Sequence, residues 1–127
     1  MLIQIEPDSD IPIYTQLAQQ LIELIAKGRL KPQDTLPSVR SLAADLGVNM
    51  HTVNKAYHEL EKKKIIDIIP KSGAVIKVQP DKGTNTESIN QLALLLKPLI
   101  AEAIVYGMTQ EEIHALTTSL KSEIMEE

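Results

Sequence analysis

The sequence predicts a mainly α fold with a small β-hairpin, and three observations predict it. Apolar residues recur at three- and four-residue intervals through 12–27, 39–46 and 50–63. That period then gives way to two short β-branched runs, 65–69 and 74–78. Two further helical segments, about 88–106 and 110–126, follow a polar stretch. At 127 residues the chain suits one small domain plus an extension. Folding should bury roughly 65% of the unfolded surface, enough for a modest core.

The first helix places Ile13, Leu17, Leu21, Leu24 and Ile25 on one face. Asp10 is expected to cap its start, Pro12 suits its first turn, and Gly28 suits a left-handed stop. Residues 29–37, with two prolines, read as an ordered loop. Ser38 is expected to cap a short helix, 39–46, which Gly47 ends. After a tight turn, Asn49 is expected to cap a third helix. Its inward stripe is Val53, Ala56, Tyr57 and Leu60. Its opposite side carries His51, Lys55, His58 and Lys62, with Asn54 beside them. The strands flank a Pro70-Lys71-Ser72-Gly73 turn, and 79–87 reads as a linker. Gly107 separates the last two helices, and Thr109-Gln110-Glu111-Glu112 has the form of a capping box.

Composition excludes several classes. There is no Cys, hence no disulfide framework and no thiolate metal site. The opening MLIQIEPDSD lacks a basic segment followed by an apolar one, and no apolar run approaches ~18 residues. Neither a secretory signal nor a membrane span is expected, and the location expected is cytoplasmic. The only aromatics are three Tyr, too few for a single-strand stacking platform. The net charge of −4 is unevenly spread. Residues 27–77 hold ten basic and five acidic side chains, net +5, whereas 81–127 hold three and eight, net −5. The first of these segments attracts a polyanion and the second repels one.

Helix, short helix, glycine turn, helix and hairpin form a winged helix-turn-helix. The wet side of the third helix suits a major groove about 12 Å wide. His51, Thr52, Asn54 and Lys55 offer donors and acceptors near its N-terminal half, and Lys71 and Ser72 occupy the hairpin tip. His51 and His58 stand roughly 10 Å apart by helical rise, too far to share a zinc ion. No metal, no cofactor and no catalytic residue is expected. Arg40 could equally be a solvated residue or pair with Asp45, and Lys62-Lys63-Lys64 could be a solvated helix end.

Three runs resemble the DNA-binding domain of GntR-family transcription regulators. They are Pro12-Ile13-Tyr14-Thr15-Gln16-Leu17, Ile25-Ala26-Lys27-Gly28-Arg29-Leu30 and Leu36-Pro37-Ser38-Val39-Arg40-Ser41-Leu42-Ala43. The likeness continues through Leu46-Gly47-Val48-Asn49, Thr52-Val53 and Ala56-Tyr57-His58-Glu59-Leu60-Glu61. It covers about residues 11–78, and the two-helix tail resembles the YtrA-like subfamily. The resemblance implies a DNA contact for Arg40 in the Leu-Pro-Ser-Val-Arg run. It assigns the turn and recognition-helix start to Asn49, Met50, His51, Thr52 and Asn54, and the wing to 70–73. With Ser38, Lys55, His58, Lys71, Ser72 and Gly73, these are the candidate DNA-binding residues. The chain departs from the family at three turns. Gln33 and Lys64 stand where glycine is usual, and Lys71-Ser72-Gly73 replaces a Gly-x-Gly wing. Met50 replaces a basic or small polar residue, leaving the operator open.

The expected layout is a winged helix-turn-helix over 1–78, a linker over 79–87 and a helical dimerisation arm over 88–127. The fourth helix is apolar nearly all round, so it demands burial on more than one side. The dimerisation candidates are Leu92, Leu95, Leu96, Leu99, Ile100, Ala103, Ile104, Ile113, Leu116 and Leu120. The fifth helix, with Ile113, Leu116, Leu120 and Ile124, is expected to cover one side of the fourth and a twin subunit the rest. Pro98 is expected to kink the fourth helix. The alternative is an arm folded back on its own winged helix.

The expected function is a homodimeric, sequence-specific regulator, a repressor by preference, on a palindromic double-stranded DNA operator. The resemblance extends this to control of a neighbouring transporter operon. An unknown small-molecule effector, if one acts, would have to bind at the dimer interface or between arm and winged helix. The alternative function is a winged-helix protein-interaction module that does not bind DNA. No membrane partner is expected.

Overall fold

In the computed structural model, which describes residues 3–126, helix α1 is Ile13–Ala26. Its N-cap is Pro12, and no side chain caps it, so Asp10 does not take the expected role. Pro12 already holds a φ near −54°, which starts the helix without one. Gln16 organises the approach instead. Its amide donates to the Ile11 carbonyl (2.7 Å) and the Glu6 carbonyl (3.0 Å), while the Glu6 N–H donates to Gln16 Oε1 (2.8 Å). One turn on, Gln20 exchanges the same pair of bonds with the Gln4 backbone. Two carboxamides four residues apart thus bind an N-terminal segment along α1 as a neighbouring strand would.

Helix α2, Val39–Leu46, is capped by Ser38, whose Oγ accepts from the Ser41 N–H. It ends on Gly47 in the left-handed region. Helix α3, Met50–Lys62, is capped by Asn49, whose Oδ1 accepts from the His51 N–H. Both caps stand where the sequence places them. The stripe Val53, Ala56, Tyr57 and Leu60 is buried, closing the core with Leu17 and Leu21 of α1 and Leu42 of α2.

The β structure differs from a bare hairpin. Strands β2 (Ile66–Ile69) and β3 (Gly73–Ile76) are each shorter than expected, and β3 also pairs with β1 (Thr35–Leu36) inside the segment read as a loop. The sheet is antiparallel in the order β1-β3-β2. The reason lies at Gly73. A Cβ there would stand 2.1 Å from the Leu36 carbonyl oxygen, so only glycine lets β3 approach β1. The outer edge of β2 is partly satisfied by α3, because Glu61 Oε2 accepts from the Ile68 N–H at 2.8 Å.

The first compact unit ends at Gln79 and a second begins at Pro80. The second unit opens on a 3₁₀ turn, Pro80–Lys82. Helix α4, Thr86–Val105, begins two residues before the expected start, because Asn85 accepts from the Ser88 N–H. It is assigned as one helix through Pro98. Helix α5, Gln110–Met125, opens on the predicted capping box between Thr109 and Glu112. That box holds the Glu112 carboxyl below its ordinary range, by hydrogen bonds from Thr109.

One expectation fails in this unit. The two helices are not packed along their lengths, and neither contains a buried residue among those described. The α5 stripe therefore does not cover α4. By length and composition alone, α4 is also apolar enough to cross a membrane, contrary to the estimate from uninterrupted apolar runs.

Candidate nucleic-acid interface

In the first unit, α3 presents a polar and basic side to solvent. Burial of Val53, Ala56, Tyr57 and Leu60 fixes the rotation of α3, so residues half a turn away must face solvent. His51, Asn54, Lys55, His58 and Lys62 are all exposed, and Thr52 is half-buried beside them. Met50, at the start of the helix, is 43% exposed. Asn49 is exposed, but its side chain is spent on the cap, so its side-chain oxygen already has a partner.

A second hydrogen bond sets α2 against α3. Tyr57 is fully buried, and its hydroxyl donates to the Pro37 carbonyl at 2.7 Å. This pins the residue preceding Ser38, the cap two positions before Arg40. Arg40 is exposed and forms no ion pair with Asp45. Burial also pushes the Tyr57 hydroxyl up to about 12 from 10.0. The hydroxyl therefore remains a donor throughout the neutral range. Sequence reasoning placed Tyr57 in the core and missed this bond, since its partner lies twenty residues away.

Ser38 is half-buried and engaged in its cap. Lys71 and Ser72 are exposed at the β2–β3 turn. Gly73 is buried, and the close approach to Leu36 and Pro37 accounts for its glycine. The three turns lacking the usual glycine are the three with non-glycine residues at positive φ: Gln33 (74°), Lys64 (63°) and Lys71 (67°). Each of these turns thus holds a non-glycine residue in the left-handed region, where its side chain is strained.

Sequence reasoning also missed Tyr14. Lys55 Nζ lies 4.0 Å from the centroid of its ring. Tyr14 and Lys55 are 41 positions apart on α1 and α3, so no local spacing could reveal the pair. Among the described residues no group of three or more His, Asp or Glu is placed to hold a metal ion.

The dimerisation candidates all lie in the second unit. Leu92, Leu95, Leu96, Leu99, Ile100, Ile104, Leu116 and Leu120 are exposed, and Ala103 and Ile113 are half-buried. Ile89, Leu92, Leu96, Leu99 and Ala103 alternate by three and four along α4, a coiled-coil-like seam that the described residues leave largely exposed.

Residues 13–76 match the family described as bacterial regulatory proteins, gntR family. Over 123 residues the chain is 37% identical to the HTH-type transcriptional repressor YtrA of Bacillus subtilis, covering 97% of this chain and 95% of that protein. A crystal structure described as a transcriptional antiterminator from Listeria monocytogenes EGD-e superposes with a TM-score of 0.87 at 32% identity. That match covers 100% of this chain and 95% of the other, arm included. The AraR DNA-binding domain, solved in complex with operator ORX1, matches with a TM-score of 0.50 at 26% identity. It covers 59% of this chain and 92% of its own.

Proposed function

This chain belongs to the bacterial gntR family and is a DNA-binding transcription regulator, and from that premise we propose that it acts as a homodimeric repressor on a palindromic operator. One observation carries the reading. The face of α3 opposite its buried stripe is exposed, uniformly polar or basic, and free of acidic residues from His51 to His58. Placed in a major groove, Asn54, His51 and Thr52 meet base edges, and Lys55 and His58 lie toward the backbone. Arg40 approaches from α2, and Lys71 and Ser72 reach from the wing. The repressor role of Bacillus subtilis YtrA and the AraR domain's operator complex support the same reading.

The arm supplies the second copy. The bare seam of α4 and the uncovered apolar residues of α5 cannot remain in water over so many side chains. A bilayer is a poorer cover. Lys97 lies near the middle of α4, where a charge costs about 2.5–3.5 kcal/mol in hydrocarbon, and Glu102 follows within two turns. A twin arm buries the seam and leaves both charges at its edge. The dimer then sets two recognition helices about one DNA turn apart. The reading extends to a cytoplasmic regulator of a neighbouring transporter operon, and an inverted repeat upstream of that operon is its genomic signature. A module that docks only proteins leaves the α3 face without a use.

Fluorescence anisotropy on the duplex enriched by the wild-type chain from a random library tests the proposal. Binding should fall steeply with salt, as released counterions require. Arg40→Ala should weaken it by about 1–3 kcal/mol if Arg40 reads a base. Equal affinity for a scrambled duplex overturns the sequence-specific reading.

A further inference from the structure

We infer that Tyr14 is a positioning residue for DNA binding, acting through the Lys55 ammonium it holds against the groove-facing side of α3. The inference rests on the DNA reading above and adds a residue that lies on a different helix from the one that reads DNA.

The geometry is specific. Lys55 Nζ stands 4.0 Å from the Tyr14 ring centroid, well inside cation–π range. Ile13, Tyr14, His51, Thr52 and Lys55 together line a shallow depression of about 380 Å³. No carboxylate lines it, and Lys55 has no ion pair among the described residues. Among the described residues the ring is therefore the one partner of this cation. Tyr14 is itself half-buried and packed against the core, so the ring is a fixed surface. A free lysine carries a flexible four-carbon stem whose freedom is lost on reaching a phosphate. Holding the ammonium beforehand removes part of that loss, and a cation with no carboxylate neighbour keeps its charge available to an anion. The depression lies beside His51 and Thr52 at the start of the recognition helix. A duplex phosphate flanking the contacted bases is the anion that fits there.

Four variants test this on the duplex enriched by the wild-type chain: Tyr14→Leu, Tyr14→Phe, Lys55→Met and the double variant Tyr14→Leu with Lys55→Met. Tyr14→Leu should weaken binding about two- to fivefold, the size of an exposed cation–π contact. Tyr14→Phe, which keeps the ring, should recover the affinity. Lys55→Met should weaken binding further and lower the salt slope by about one. In the Lys55→Met background, Tyr14→Leu should add nothing. Thermal melts accompany each variant, and Tyr14→Met replaces Tyr14→Leu should the latter unfold.

Additive losses in the double variant, or a Tyr14→Leu chain that binds like wild type, overturn the inference while leaving the DNA reading intact. Failure of the wild-type chain to enrich any duplex overturns both.

Discussion

Gln33, Lys64 and Lys71 each hold a side chain at a φ between 63° and 74°. A left-handed conformation costs a non-glycine residue roughly 1–2 kcal/mol, offset in part by the greater freedom glycine has when unfolded. Lys64→Gly and Gln33→Gly should therefore each stabilise the first unit by about 0.5 kcal/mol, read as a higher urea midpoint with unchanged slope. These three positions were legible in the sequence as missing glycines. Their backbone angles were not, because a departure from a pattern does not say whether the turn changes or the residue strains. Tyr57 gives a prediction in pH. Burial raises its hydroxyl to about 12 in the folded chain against 10.0 when unfolded. The protonated form is thus favoured by folding, and the unfolded chain loses the proton first. Stability from this group is complete below pH 10 and declines as pH rises from about 10 to 12, by up to about 3 kcal/mol. Urea unfolding from pH 8 to 12 should show the decline, and Tyr57→Phe should flatten it.

At the scale of elements, the helices were readable because each carries its own period and its own cap. Ser38, Asn49 and Thr109 all accept from the backbone N–H groups their positions imply. Strand β1 was hidden because it is two residues long, lies between Asp34 and Pro37, and exists only through its pairing with β3. Such a strand is a tertiary fact, and no local pattern encodes it. Its dependence on Gly73 is testable. Gly73→Ala forces a methyl against the Leu36 carbonyl in a backbone region unsuited to alanine, and should destabilise the unit by about 3 kcal/mol. Hydrogen exchange at the Ile76 N–H, which donates to the Asp34 carbonyl, should quicken with it. The α4–α5 pairing was expected from two apolar stripes, and the stripes are present. What the pattern could not state is which surface each stripe meets.

At the scale of the molecule, the overall charge of −4 conceals a basic stretch, 27–77, and an acidic second unit. If twin arms close the α4 seam, a Leu96→Asp, Leu99→Asp chain should sediment as a monomer and lose operator affinity at least tenfold. Its winged-helix unit should keep its melting transition. Sedimentation equilibrium with circular dichroism checks both halves of that statement. The seam also has a bearing on dosage. On the proposed dimer reading, a subunit whose seam is bare until it meets its twin is hazardous alone, so solitary copies would fall to the cell's chaperones and proteases. Below the assembly threshold, occupancy of a promoter then rises with the square of protein supply rather than in proportion to it. A gene repressed by such a dimer would stay open while the regulator is scarce and shut over a narrow range of its abundance.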